Sequence, residues 1–144
     1  MMLKYQKEID EMGLAECPPS ECVQSSLLAC RFVFNDLSHP NNFKPVGLIH
    51  PQRLNEFKED VKKCQSLGLS MFAELEKARK HFEHLQIKTA GRFSKTVGSC
   101  VAILNLVETD GVFSDPKERS DSHFTFHEFE NTELTNCIIN IENL

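Results

Sequence analysis

Two separate runs of the chain are apolar on both faces of an extended strand, and they limit the possible folds more than any other feature. In residues 27–35 (LLACRFVFN) Arg31 is the only charged side chain, and residues 99–107 (SCVAILNLV) carry no charge at all. A strand with two apolar faces has to be covered on both sides by other elements. The sequence therefore predicts a sheet with these two strands at its centre.

Shorter patterns predict the remaining elements. Apolar residues at helical spacing predict helices over 2–12, 54–64 and 73–86, and short apolar or alternating runs predict strands over 68–72, 123–130 and 137–141. Prolines and polar residues predict a loop at 15–22, a long loop at 36–53 and a polar connection at 88–96. Because helices come early and strands late, we expect one α+β domain over 1–144, with a mixed or antiparallel sheet of about five strands and helices packed against it. Residues 1–26 form its N-terminal helix and proline-containing lead-in.

Composition excludes several classes of function. The net charge is −5 and the longest basic cluster is Lys62-Lys63, so a nucleic-acid partner, which requires clustered cations, is not expected. No apolar run approaches the roughly 18 residues that span a bilayer, and residues 1–12 lack the apolar core of a secretory signal. We therefore expect a cytoplasmic protein, without a membrane partner, whose six cysteines are all free thiols.

Sequence signatures of metal and cofactor sites are absent. The chain has no glycine-rich phosphate loop, no CxxC pair and no HExxH, and it has no GxSxG nucleophile turn. Cys17 and Cys22 are separated by four residues that include a proline pair, and no second cysteine pair follows them. Neither a metal site nor a resident cofactor is expected. His81 and His84, on the predicted helix over 73–86, are expected to be solvated.

Two polar residues in apolar strands are candidates for binding. Arg31 is expensive to bury unless it is paired, so it either faces a glutamate of the late strands or forms an anion clamp for a phosphate or carboxylate. Ser70 is the only polar residue of GLSMF, which precedes a predicted helix. Its hydroxyl either caps that helix or hydrogen-bonds a ligand at the helix N-terminus.

The alternating run HFTFHEFE (123–130) is the third candidate. Glu128 and Glu130 share the face of Phe124 and Phe126, so they lie at the end of an apolar stripe, where a carboxylate can have a raised pKa and stabilise a developing cation. The alternative is that both glutamates are solvated beyond the end of the strand. His123 and His127 occupy the other face, where they either line a cleft or pack against a helix.

In chain order, an Arg on an early strand, a Ser on a short strand before a helix and a late Glu-x-Glu resemble the Arg–Ser–Glu arrangement of ADP-ribosyltransferase-like folds. The stretch GLSMFAELEKA is similar to the strand-then-helix element of that superfamily. The resemblance implies NAD⁺ as co-substrate: Arg31 would hold its phosphates, Ser70 would support the nicotinamide half, and Glu130 or Glu128 would stabilise an oxocarbenium-like ribose. Leu69-Ser70-Met71 departs from the Ser-Thr-Ser triplet of the best-defined branch.

A non-enzymatic protein-binding module is the alternative prediction. A small acidic α+β protein is also typical of inhibitor, immunity and adaptor proteins, which act through surfaces with aromatic and charged residues. The candidate surface is the loop at 36–53, with Phe43, Leu48 and Ile49, together with the acidic region at 115–130. Its negative charge suits a basic, toxin-like partner or target. A third possibility is a structural subunit of a homo-oligomer that associates through the apolar C-terminal strand.

Overall fold

The two apolar runs form neighbouring strands inside a single sheet. The computed structural model describes residues 2–144. Its strands are β1 (Leu27–Val33), β2 (Leu69–Phe72), β3 (Cys100–Leu106), β4 (Gly111–Phe113), β5 (His123–Glu128) and β6 (Ile138–Asn143). They lie in the order β4-β5-β2-β1-β3-β6, and every neighbouring pair is antiparallel. The expected α+β domain is confirmed, and the sixth strand is the short β4, which follows a turn at residues 108–110.

Six α-helices and two 3₁₀ turns accompany the sheet within residues 2–144. They are α1 (Gln6–Glu11), α2 (Val46–Ile49), α3 (Pro51–Glu56), α4 (Asp60–Ser66), α5 (Leu75–Lys88) and α6 (Phe93–Val97), with 3₁₀ turns at Pro116–Glu118 and Leu134–Cys137. The expected continuous loop at 36–53 is wrong, because Pro45 is the N-cap of α2 and Pro51 is the first residue of α3, positions that proline favours. The expected helix over 54–64 is interrupted where Phe57 adopts extended backbone, and α6 lies inside the expected polar connection.

The sheet has apolar clusters on both faces. On one face Ala29 and Val33 of β1 pack with buried residues of β2, β3 and β5, including Met71, Leu104 and Phe126. On the other face helix α5 packs across the sheet, and its Ala78 joins Cys30, Phe72 and Val101. A third cluster joins Leu3, Ile9 and Leu14 of the N-terminal segment to Cys64, Leu67 and Phe129. The N-terminal segment thereby packs against α4 and the residues that follow β5.

The contact between β1 and β2 is much shorter than that between β1 and β3. Strands β1 and β3 pair along their full length, from Leu27 opposite Leu106 to Val33 opposite Cys100. By contrast, β1 and β2 are paired through Cys30 and Phe72 alone. The two strands therefore diverge past this pair, and we call the gap between them the β1–β2 seam.

The cysteines are not all free thiols. Cys17 and Cys64 form a disulfide with a Cα–Cα distance of 5.5 Å, whereas Cys22, Cys30, Cys100 and Cys137 are free. The expectation of six thiols is therefore wrong for this pair, because the loop at 15–22 folds back against α4 and brings together cysteines that are 47 residues apart in sequence. No helix within residues 2–144 is long and apolar enough to cross a membrane.

Candidate functional site

A cavity of about 520 Å³ lies against the sheet beside the β1–β2 seam. The sheet supplies Phe32, Ser70, Phe72, His123 and Thr125, the α2–α4 region supplies Val46, Ile49, His50, Phe57 and Lys62 among others, and α5 and α6 supply His81, Phe93, Thr96 and Val97. Four phenylalanine rings thus contribute to a wall that is largely apolar. The volume and lining are typical of a small-molecule site.

The charged side chains around the cavity are cations. Arg31, Lys44 and Lys62 line it, and no aspartate or glutamate of residues 2–144 does. Both lysines are exposed, whereas Arg31 is half-buried. This local balance is opposite to the net charge of the chain, which is −5. The cavity therefore favours an anionic group, because cations beside low-dielectric walls concentrate positive potential.

Ser70 and His123 form a hydrogen-bonded pair in the cavity. Ser70 lies opposite Thr125 and Phe72 lies opposite His123, so the serine and histidine are diagonal neighbours on one face of the sheet. Ser70 Oγ is 2.5 Å from His123 Nε2. Burial, followed by the nearby Arg119, lowers the pKa of His123 to about 4. The imidazole is therefore neutral at pH 7, and in the tautomer with the proton on Nδ1 its Nε2 accepts a hydrogen bond from the serine hydroxyl.

Ser70 does not cap the following helix. Helix α5 begins at Leu75, and the hydroxyl of Ser122 accepts the backbone N–H of Glu74 at its start. The cap interpretation of Ser70 is therefore wrong, and the short segment between β2 and α5 explains why. With two residues separating the strand from Leu75, the Ser70 side chain projects from the sheet into the cavity instead of toward the helix terminus.

Arg31 holds the β1–β2 seam together. Its Nε donates to the carbonyl of Asn42 at 2.6 Å, and its Nη1 donates to the carbonyl of Ser70 at 2.9 Å. Within residues 2–144 no carboxylate forms a salt bridge with it, so the expected ion pair with a late glutamate is not made. Burial lowers the pKa of Arg31 to about 10, and the charge of Glu128 opposes that change. The guanidinium remains charged at pH 7.

The two glutamates lie outside the cavity lining. Glu128 is buried at the end of β5, where its Oε2 is 3.7 Å from Lys4 Nζ and its Oε1 has no hydrogen-bond partner. Burial raises the pKa of Glu128 to about 7, as expected for a carboxylate at the end of an apolar stripe. Glu130 is exposed beyond the strand. The structure thus brings Arg31 and Ser70 together in the lining of one cavity, and neither glutamate belongs to that lining.

The two histidines of β5 have different surroundings. His123 lines the cavity, whereas His127 is buried beside the Cys17–Cys64 disulfide, with its Nε2 4.0 Å from Cys64 Sγ. Both point to the same face of the sheet by strand alternation. Only the first of them can contact a molecule in the cavity.

Sequence reasoning missed the part played by His81. The expectation that it is solvated is wrong, because its ring is half-buried, is stacked on Phe32 with a centroid distance of 6.3 Å and lines the cavity. A signal was present: His81 lies three residues after Ala78 and four before Leu85, both on the apolar stripe of the helix. Lys44 and Lys62 had no such signal, since only the folded chain brings α4 beside residues 41–50.

Comparison with known proteins gives no significant match: no family model, no curated protein and no solved structure matches the chain. The fold and site described above are therefore the basis for any functional proposal.

Proposed function

We propose that the protein binds a small amphipathic anion, an apolar body that carries a carboxylate or phosphate, in the cavity beside the β1–β2 seam. The observation that carries the proposal is the combination of a cavity of about 520 Å³, aromatic walls and a charged lining that consists of cations within the described chain. Pockets of roughly 300–1,000 Å³ hold small ligands, and their apolar lining supplies most of the buried area. The cations then select for charge.

Each part of the lining has a separate task in this proposal. The rings of Phe32, Phe72 and Phe93 cover the apolar body of the ligand, because they face the cavity from the sheet and from α6. Lys44 and Lys62 are exposed and meet its anionic group near the opening. The Ser70–His123 pair supplies hydrogen bonds that fix the orientation of the ligand.

A matched set of probes tests the proposal. We expect 2-naphthoate to raise the melting temperature of the protein, and 2-naphthylmethanol and acetate to have much smaller effects, because one lacks the charge and the other lacks the apolar body. A ligand present at a hundred times its Kd stabilises the folded state by about 2.7 kcal/mol, which thermal unfolding resolves easily. Equal effects of naphthoate and the alcohol, or no effect of either at millimolar concentration, would refute the proposal.

Charge variants separate specific from general binding. The double variant Lys44→Gln/Lys62→Gln should weaken naphthoate binding about tenfold, equivalent to about 1.4 kcal/mol, since each exposed cation contributes less than 1 kcal/mol. The control variant Lys7→Gln/Lys117→Gln removes the same charge at exposed positions outside the cavity lining. Calorimetry should give an unchanged Kd for that control.

The 2.5 Å contact between Ser70 and His123 favours a second candidate function, acyl transfer. A neutral imidazole can take the serine proton as Oγ forms a bond to an ester carbonyl, and then give it to the departing alkoxide; water afterwards cleaves the acyl-serine. Within residues 2–144 no carboxylate forms a hydrogen bond with the His123 ring. The nearby carboxylate of Asp121 accepts the backbone N–H of His123 and pairs with Arg119 instead. The arrangement is therefore a dyad.

Hydrolysis of 4-nitrophenyl acetate tests this candidate. Ser70→Ala should abolish protein-dependent turnover, whereas Ser120→Ala, in the exposed loop before β5, should leave it unchanged. An acetyl adduct on Ser70, detected by mass spectrometry after rapid quenching, would be direct support. Turnover by Ser70→Ala at the wild-type rate would exclude the candidate without affecting the binding proposal.

The sequence-based functions remain predictions. NAD⁺ belongs in the same thermal-shift series, since it carries a pyrophosphate, and Arg31 and Ser70 both line the cavity.

For the protein-binding module, the apolar residues of 36–53 are less available than expected. Phe43 and Leu48 pack against interior clusters and Ile49 lines the cavity. A partner surface would therefore rely on the acidic region at 115–130.

A further inference from the structure

A second cluster of reactive side chains lies apart from the cavity. The sulfur atoms of Cys17 and Cys64 and a ring nitrogen of His127 all lie within 4.8 Å of one another. The sulfurs are joined as a disulfide in this structure. Cys64 is 3% exposed and His127 is 4% exposed, so the cluster is shielded from water on most sides.

In the described part of the chain, hydrogen bonds account for little of the burial of His127. Within the described chain, its ring has one side-chain contact in the hydrogen-bonding range, the 4.0 Å approach of Nε2 to Cys64 Sγ. The ring is also seated tightly, because a Cβ at Gly68 would lie 3.0 Å from its Cε1. A tightly seated imidazole with a ring nitrogen close to two cysteine sulfurs supplies the nitrogen and sulfur ligands that zinc uses in proteins.

We propose that, when the disulfide is reduced, Cys17, Cys64 and His127 bind a thiophilic divalent metal ion, with Zn²⁺ as the best fit. Two thiolates and one imidazole supply three of the four ligands of tetrahedral zinc, and the fourth position is open to water or an added ligand. Soft sulfur ligands disfavour Mg²⁺ and Ca²⁺, which prefer oxygen.

The disulfide and the proposed metal site exclude each other, because both use the sulfur atoms of Cys17 and Cys64. A dithiol reductant supplies two electrons and two protons, the Cys17–Cys64 bond breaks to give two thiols, and the reductant becomes a disulfide. Metal binding then displaces both thiol protons. In either form residue 17 is tethered to α4, by a covalent bond in one case and by the metal in the other. The N-terminal segment is thus held in place in reducing and oxidising conditions alike.

Cobalt titration of the full chain tests the proposal. After reduction with a phosphine and removal of oxygen, one equivalent of Co²⁺ should produce the visible absorption of tetrahedral cobalt and a thiolate charge-transfer band, and Zn²⁺ should remove both. The untreated, disulfide-bonded chain should produce neither. Absence of absorption in the reduced chain, or equal absorption in the oxidised chain, would overturn the proposal.

Variants locate the metal. Cys17→Ser and His127→Gln should each weaken Co²⁺ binding at least tenfold. The matched control Cys22→Ser removes a free cysteine five positions from Cys17 and should bind normally. Normal binding by Cys17→Ser would overturn the assignment.

A measurement on the wild-type chain guards against misfolded variants. Zn²⁺ should slow alkylation of Cys17 and Cys64 but not of Cys22 or Cys137, as read by peptide mass spectrometry. Circular dichroism of the reduced chain is recorded with and without Zn²⁺. A reduced chain that is unfolded and that Zn²⁺ does not refold would also overturn the proposal.

Discussion

Replacing Glu128 with glutamine removes a carboxylate that the fold keeps out of water. Glu128 is only 3% exposed, and its Oε1 has no hydrogen-bond partner within residues 2–144. Its Oε2 is 3.7 Å from Nζ of Lys4, a lysine that remains partly hydrated. Burial raises the pKa of this carboxyl from 4.5 to about 7. Glutamine has nearly the same shape and no charge, so Glu128→Gln tests the electrostatic cost of the native residue.

The sign and size of the effect follow from the pKa. A carboxyl that binds its proton more tightly in the folded state costs nothing below its unfolded pKa, and the cost grows as pH rises through the folded pKa. The rise from 4.5 to about 7 corresponds to roughly 3 kcal/mol above pH 7. His123 and His127, whose pKa values are lowered to about 4, act in the opposite direction and reduce stability as pH falls below about 6.5. Only the difference between variant and wild type isolates Glu128.

Urea unfolding followed by circular dichroism at several pH values between 4 and 8.5 provides the measurement. Glu128→Gln should be more stable than wild type by up to about 3 kcal/mol above pH 7, and the gain should shrink toward zero near pH 4.5. Glu130→Gln, at an exposed position two residues away, is the matched control for the loss of one negative charge and should not reproduce the gain of about 3 kcal/mol. A gain that is constant over the whole range, or a loss of stability at pH 8, would refute the reasoning.

Three further predictions concern the backbone and cross-links. Gly98→Ala places a Cβ against the carbonyl oxygen of Val33 at a φ of +92°, so it should lower the unfolding free energy by well over 2 kcal/mol in urea unfolding. Gly91→Ala, at a φ of +84° with nothing within 4 Å of the new Cβ, should lower it by about 1 kcal/mol. Equal losses would argue against the close approach. Arg31→Leu leaves two backbone carbonyls without donors and should lower the unfolding free energy by roughly 2–4 kcal/mol; a neutral effect would mean that water replaces the guanidinium. Reduction of the disulfide, which links residues 47 apart, should cost about 4 kcal/mol when measured with a chelator present, and an unshifted urea midpoint would contradict this.

The strands and the long helix were predictable because their patterns are local. Residues 27–35 and 99–107 are apolar on both faces, and α5 carries an apolar stripe at helical spacing, so periodicity alone identifies them. Pro45 and Pro51 misled the prediction for 36–53, because a proline signals a break inside a helix but is favourable at its start. The number of strands was underestimated because β4 has three residues, too few for a recognisable alternation.

The sequence pattern identified several residues of the cavity, but it did not predict which of the candidate residues are neighbours in space. Arg31 and Ser70 stand out as polar groups in apolar strands and His123 as a residue of the alternating run at 123–130, and all three line the cavity. Whether Glu128 joins these residues in one site depends on the strand order and register of the sheet, which the sequence pattern does not give. The register of β2 against β5 places Ser70 opposite Thr125, so strand alternation puts Glu128 on the opposite face from Ser70. Neither the register nor the disulfide can be deduced from the spacing of residues along the chain.

The strand order has a consequence for how fast the chain reaches its native state. The longest ladder pairs Leu27 with Leu106, and β2 pairs with β5 through Leu69 and Phe126, so most of the sheet joins segments that are far apart in sequence. Two of the neighbouring pairs are consecutive in the chain: β1 and β2, which are separated by helices α2 to α4, and β4 and β5, which are separated by a 3₁₀ turn. Loop-closure entropy has to be lost before such distant pairings form, which slows folding to milliseconds or longer in proteins of this type. The apolar strand at 27–33 is also synthesised well before its partner at 100–106. Until the two strands pair, the backbone groups and apolar side chains of residues 27–33 are available to other chains, so this is the stage at which aggregation is favoured most.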